Sequence, residues 1–338
     1  MTWPGEGLLI KLWETLTDKG VGNLLKPWQV RREALAQTES RALEMVVMAA
    51  AEKEADDIRS GRMRLAESRF ALALPSSRAE THEKRGDEPS AEVRSPVEVS
   101  TSAVISDALR REVNVAKAIV SAESELKDDP QKPPERDVEA DWLYRWRDYA
   151  GAVSSEDLQS LWGRLLSGEL KSPGSYSYRT LDFIRNLSAV EAKKIERVSR
   201  FVISDFIARN QKTLLEVDGI SFGELLALQN LGVISGVESL GLNVSISSAQ
   251  TDRFFTILKS HGRALLVKHE DSKKTFMLGA YNVTELGCQV LSLGKFDPHE
   301  GYLRAVGEEL KKAGATVGIA DYYPVSEGIV RLIDEQPL

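Results

Sequence analysis

A single cysteine, Cys288, occurs in 338 residues. An internal disulfide and a cysteine-built zinc site are thereby excluded, and a reducing, cytoplasmic setting fits. No apolar run approaches the roughly 20 residues of a spanning helix. The N-terminus lacks a cationic start followed by an uninterrupted apolar stretch, so neither a membrane span nor a secretory signal is expected. The four histidines, His82, His261, His269 and His299, match no helical metal pair, so no metal is assigned. Also missing are Gly-x-Gly-x-x-Gly, a phosphate loop ending in Gly-Lys-Ser or Gly-Lys-Thr, and a Gly-x-Ser-x-Gly elbow. No catalytic or cofactor-binding residue is assigned, and the first expectation is a non-enzymatic protein; an enzyme whose pocket leaves no local pattern is an alternative.

Basic charge is also short. Lys+Arg number 44 against 51 Asp+Glu, a net charge of -7, which argues against a broad electrostatic grip on nucleic acid. Asp182, Glu191 and Lys193 imitate a nuclease acid pair with its lysine, but Glu191 falls where a helix opens, whereas that metal chemistry needs strand geometry. A solvated first turn is the better reading. Cys288, beside Gly287 in an apolar helix, is expected to be a buried small hydrophobe.

What is present is mostly helical. Over residues 6–19, Leu8, Leu9, Leu12, Trp13 and Leu16 share one face at 100° per residue. This amphipathic helix suits an oligomer core, the chain's own bundle or a peripheral contact with the inner membrane. Residues 1–28 carry three basic and three acidic side chains, so attraction to anionic lipid is weak. Gly20, Gly22 and Pro27 mark a hinge. From Trp28 to Leu74 the composition predicts a long helix, with seven-residue spacings at Trp28, Leu35, Ala42 and Ala49 and, in a shifted register, at Ala51, Ile58, Leu65 and Leu72. Self-association through this stripe is one reading and packing onto the C-terminal half the other.

Residues 75–105 hold Pro75, Pro89 and Pro96 and no Leu, Met or aromatic side chain, which predicts a disordered tether. Ser106 is expected to cap a helix to Lys127, and Asp128 to Glu135 reads as a stiffer linker. Residues 106–207 are expected to form a helical bundle with an aromatic core. Trp142, Trp146 and Tyr149 share a helix face there, and the next helix stripes Leu158, Leu161, Trp162, Leu165 and Leu166. Ser188 opens a further helix to Phe206.

The run Glu156, Leu158, Gln159, Leu161, Trp162, Gly163, Leu165, Leu166, Gly168, Glu169, then Pro173, Gly174, Ser175, Ser177, Arg179, Thr180, Leu181, Phe183, and finally Leu187, Ser188, Glu191 and Ala192, resembles the core signature of the bacterial domain-of-unknown-function family 2806. Lys26, Pro27, Trp28, Gln29 and Arg31 resemble its N-terminal part. A shorter block, Leu-Gln-x-Leu-Trp-x-x-Leu-Leu-x-x-Glu followed by Leu-Ser-x-x-Glu-Ala, is similar to part of the abortive-infection alpha proteins. Neither resemblance implies a mechanism. The signature residues Trp142, Trp146, Gln159, Trp162, Glu169, Pro173, Gly174 and Arg179 are read as structural.

Residues 208–338 read as an α+β domain. Ser221 and Glu224 predict a capping box for a helix that Gly232 stops. Leu242, Val244 and Ile246 alternate as a strand. Residues 264–269 and 274–279 are expected to form a hairpin across Glu270 to Lys273, Thr284 caps a helix, and strands lie near 315–320 and 328–333. Helix, hairpin and the turn at Tyr281, Thr284 and Gly287 resemble pieces of a winged helix. That suggests DNA, yet residues 205–338 hold 13 Lys+Arg against 17 Asp+Glu, where a DNA-reading domain shows a basic face. The expected whole is mainly α with a C-terminal α+β part, divided at 1–74, 75–105, 106–207 and 208–338. Its expected role is that of an interaction or effector protein in phage defence, with a DNA-associated regulator as the alternative.

Overall fold

Leucine spacing dictates the first element. In the computed structural model, which describes residues 4–21, 37–63, 67–68, 96–238, 242–326 and 329–338, helix α1 spans Glu6–Asp18 and buries Leu8, Leu12 and Leu16. Gly20, at φ 69°, follows in the left-handed region that glycine enters without strain. The N-terminal unit, Met1–Tyr176, continues with α2 (Gln37–Ser60), α3 (Pro96–Leu126), α4 (Ala140–Gly151) and α5 (Glu156–Lys171). The long α3 is its spine, packing against α1, α2, α4 and α5.

This spine corrects the tether. Residues 96–105 begin α3, so Ser106 is inside the helix and not its cap; its buried hydroxyl donates to the Ala55 carbonyl at 2.7 Å. Proline opens a helix at no hydrogen-bond cost, and further along α3 the α2 helix packs alongside. The remainder of the expected tether, 75–95, lies outside the described residues, as do the heptad positions Trp28, Leu35, Leu65 and Leu72. In the part of α2 whose side chains are described, Met48, Ala51, Ala55 and Ile58 are buried while Ala49 is exposed. In this stretch the shifted register is therefore the inward one, and it faces α3.

Close approach fixes the α3–α5 contact. A methyl group on Gly163 would fall 2.6 Å from the Ser121 side chain and 2.8 Å from the Ala118 carbonyl, so only glycine permits this crossing. On α5, Leu158 is exposed and Gln159 is buried in the place that an all-leucine stripe gave to its neighbour. Gln159 is tolerated because its amide donates to Asn114 Oδ1 at 3.1 Å and to the Val153 carbonyl at 3.2 Å.

The C-terminal unit, Ser177–Leu338, opens with α6 (Tyr178–Asn186), capped by Ser177, and α7 (Ala189–Ser199), whose capping box joins Ser188 and Glu191. The α7 helix stops at Ser199, short of Phe206, because the chain turns through Ser204 at φ 55° into strand β1 (Phe206–Ala208). There follow α8 (Lys212–Val217), α9 (Phe222–Asn230), β2 (Ile234–Ser235), β3 (Asn243–Ile246), β4 (Phe254–Ser260), β5 (Arg263–His269), β6 (Phe276–Val283), α10 (Glu285–Leu291), α11 (Glu300–Lys312), β7 (Thr316–Ser326) and β8 (Ile329–Pro337). One antiparallel sheet runs β1-β6-β2 with β3 also on β6; the other runs β4-β5-β7-β8. Phe254 of β4 meets Phe276 of β6 edge to face at 5.0 Å, and both are fully buried.

The expected 264–269/274–279 hairpin is not formed. Both segments are strands and a turn joins them, but β5 pairs with β4 and β7 whereas β6 pairs with β1, β2 and β3. The actual hairpin is β4–β5, closed by His261 at φ 44° and Gly262 at φ 85°, the double left-handed geometry that matches strand twist. Cys288 is also corrected: it is exposed. Leu286, Gly287, Val290 and Leu291 take the inner face of α10, which turns position 288 outward.

Candidate functional site

Polar groups buried in a helical unit must find partners, and the partners reveal which clusters are structural. Trp142 Nε1 donates to the Tyr176 carbonyl at 2.7 Å and Trp146 Nε1 to the Trp162 carbonyl at 2.9 Å. Glu169, nearly inaccessible, accepts from the Gly174 amide at 2.5 Å and the Tyr176 amide at 3.0 Å. Burial pushes its carboxyl up, and these amides together with nearby Arg136 pull it partly back. Pro173 and Gly174, the latter at φ 95°, make the turn that Glu169 holds. Arg179 is exposed on α6, its guanidinium beside Gly232. Six of the signature residues thus converge on one knot tying α4, α5 and the 172–176 turn, and Gln159 ties α5 to α3.

A cleft that holds an ion pair lies between α3 and α4. Ala108, Arg111, Glu112, Val115, Arg147, Asp148 and Gly151 line about 150 Å³. The Arg147 guanidinium binds the buried Glu112 carboxylate, while Glu112 Oε2 and Arg147 Nε have no hydrogen-bond partner among the described residues. Desolvation raises the Glu112 carboxyl more than Arg147 lowers it. The lining holds no nucleophile beside a base, so this is an ion pair spanning two helices and not an assembled acid–base set.

Other expected residues stay apart. Glu191 is held in its capping box by Ser188, which draws its carboxyl down. Partial desolvation by its neighbours raises the thiol of the exposed Cys288, with Asp205 and Glu285 adding to it, the opposite of nucleophile activation. Among the described residues no group of three His, Cys, Asp or Glu is placed to hold a metal ion, and no helix is long and apolar enough to cross a membrane. Leu8, Leu12 and Leu16 face the interior of their own unit, and Leu9 and Trp13 are half-buried, with Trp13 Nε1 donating to Glu123 at 3.3 Å.

A different surface stands out in the C-terminal unit. Val217, ending α8, is 77% exposed and Phe222, opening α9, is 51% exposed. Between them Asp218 to Ser221 makes the turn, and Ser221 Oγ accepts from the Glu224 amide at 3.3 Å. Glu224 does not return a bond to close the expected capping box; its carboxylate lies 3.3 Å from Arg197. It is the one charged residue of α9. Leu225 and Leu228 turn inward, which leaves Phe222, Gly223 and Asn230 exposed and Leu226 and Ala227 half-buried. The outward face of α9 is uncharged. Sequence reading missed this pair: Val217, two residues past the buried Leu215, falls off its helix face, but Phe222, three residues before Leu225, carries the spacing of a buried position.

These features define a mixed α/β protein of a helical unit and a two-sheet unit. Residues 104–218 match the family described as Protein of unknown function (DUF2806), and this segment belongs to that domain family. The match takes in the run from Glu156 to Ala192 on which the resemblance rests, and does not extend to residues 26–31. No curated protein and no solved structure matches the chain.

Proposed function

We propose that this chain is a non-enzymatic interaction protein whose α8–α9 turn docks a protein partner. The observation that carries the reading is the exposed pair Val217 and Phe222 beside an uncharged α9 face. The order α7, β1, α8, α9, β2 with β3, then β6 supports a winged-helix-like scaffold, with β4–β5 inserted before its last strand. In such a scaffold α9 occupies the position that reads DNA, yet it offers no Lys or Arg for phosphate or base contact. An apolar protein surface is the better match.

The setting we propose is defence against phage, which rests on the abortive-infection-like block. The test is infection of a bacterial host carrying the wild-type gene, Val217→Asp or Phe222→Glu. Protection by wild type that both variants lose, with unchanged thermal melts, is the expected result. Equal protection by all three removes the α8–α9 surface from the reading, and no protection by wild type removes the defence role. Duplex binding by the wild-type protein at low salt, where phosphate contacts are strongest, would favour the DNA-associated alternative.

A further inference from the structure

A carboxylate and a guanidinium offer more hydrogen-bonding positions than one contact between them fills. In the cleft between α3 and α4, Arg147 meets Glu112 through Nη2 and Oε1. Glu112 is only 6% exposed, and its Oε2 has no partner among the described residues; Arg147 Nε has none either. A buried charged group left unmet in this way calls for an explanation. Beside the pair lies about 150 Å³ of open space.

Water suits only the polar end of that space. A buried water settles among about two to four polar partners, whereas Ala108, Val115 and Gly151 give this cleft an apolar wall. Asn114 Nδ2, donating to the Gly151 carbonyl at 2.9 Å, holds that wall in place. An apolar wall with a few converging polar groups is the general form of a small-molecule site. The charges of the lining are balanced, Arg111 and Arg147 against Glu112 and Asp148. Arg111 is held by Asp107 at 3.0 Å, but both are exposed and such a pair exchanges partners at little cost. Asp148 is exposed on the rim. A lining of one sign would select an anion or a cation. A lining with both signs and an apolar wall suits a molecule that carries both charges at one end and an apolar body at the other.

We propose that this cleft binds a free α-amino acid with a small apolar side chain, its ammonium on Glu112 and Asp148, its carboxylate on Arg147 and Arg111, and its side chain against Ala108 and Val115. Glu112 Oε2 accepts an ammonium proton and Arg147 Nε donates to the ligand carboxylate, so the ion pair persists while both unfilled positions are met. Both atoms are closed to solvent, so the ligand seats as the Arg147 side chain, 28% exposed, turns at the rim. The raised Glu112 carboxyl agrees with a carboxylate that its one cation satisfies only in part. A lone carboxylate or a lone amine would leave one of the two positions unmet, and that difference is the source of selectivity.

The inference is independent of the α8–α9 reading, since α8 and α9 belong to the other unit. Titration calorimetry of the full-length protein with L-alanine and L-valine tests it. Isovalerate, which is valine without the ammonium, and isobutylamine, which is valine without the carboxylate, serve as half-ligands. The expected result is saturable one-site binding of L-valine, with either half-ligand at least roughly tenfold weaker. Ala108→Leu fills the cleft while leaving both members of the ion pair in place, and is expected to abolish binding with an unchanged thermal melt. Glu112→Gln is expected to weaken L-valine at least roughly tenfold and to leave isovalerate unchanged, a selective loss that a merely loosened fold would not give. If either variant shifts the melt, the exposed Asp148→Asn takes its place, with weaker L-valine and unchanged isovalerate expected. No saturable heat from L-alanine or L-valine at roughly 10 mM, a half-ligand that binds as tightly as L-valine, or undiminished L-valine binding by folded Ala108→Leu or Asp148→Asn overturns the proposal.

Discussion

The buried phenol of Tyr302 shows how much one polar atom can carry. Its hydroxyl accepts from the Ala208 amide at 2.5 Å and lies 3.3 Å from the Ala208 carbonyl, joining α11 to β1. Its ring also packs edge to face on Phe201 at 5.1 Å. Burial pushes its ionisation far above the ordinary tyrosine range, despite the opposing amide bond. The sign follows from linkage: the unfolded phenol ionises near about pH 10 while the folded one stays protonated, so stability from this residue is present below that pH and is lost as pH rises beyond it. Tyr302→Phe should cost about 1–3 kcal/mol at neutral pH, because the Ala208 amide is left buried and unpaired. In urea unfolding, the gap between wild type and variant should narrow above about pH 10. A gap constant with pH would show that the phenol titrates alike in both states.

At the scale of elements, legibility followed the source of each signal. Helices with a one-sided apolar stripe were readable: α1, α4 and α9 lie where periodicity put them, and the Ser188, Ser221 and Thr284 caps each accept the expected amide. The start of α3 was hidden because 96–105, with its proline and its small and β-branched residues, reads as a linker in composition. The existence of β3, β5, β6, β7 and β8 was readable while β1, β2 and β4 were not expected, and strand pairing was not readable, since alternation places a segment in a sheet without naming its neighbour; that is why 264–269 and 274–279 were joined. The burial of Trp142, Trp146 and Trp162 was legible from their helical spacing, but Glu112 with Arg147 was not, because a pair 35 residues apart leaves no local pattern. Two substitutions test the packing. Gly163→Ala should destabilise by about 1–3 kcal/mol, since neither the Ser121 side chain nor the Ala118 carbonyl can retreat without parting α5 from α3. Leu12→Ala should cost about 2–5 kcal/mol through the cavity left beneath α1. If the main role of the α1 stripe is membrane contact, Leu12→Ala will instead change sedimentation with vesicles and leave the melt unmoved.

For the whole molecule, the division into Met1–Tyr176 and Ser177–Leu338 has a thermodynamic consequence. Each unit buries its own aromatic cluster, Trp142, Trp146 and Trp162 in the first and Phe201, Phe206, Phe254, Phe276 and Tyr302 in the second. Cooperativity extends as far as shared burial does, so two cores predict two unfolding transitions in calorimetry. The same variants assign them. Gly163→Ala should lower one transition and Tyr302→Phe the other, each leaving its counterpart within the scatter of the wild type, because sites without shared partners act additively. A single transition lowered by both variants would mean that the units unfold as one. The DUF2806 segment, residues 104–218, runs past the 176/177 boundary and includes α6 to α8 of the second unit. The experiment therefore also decides whether that family segment behaves as one folding unit or as the junction of two.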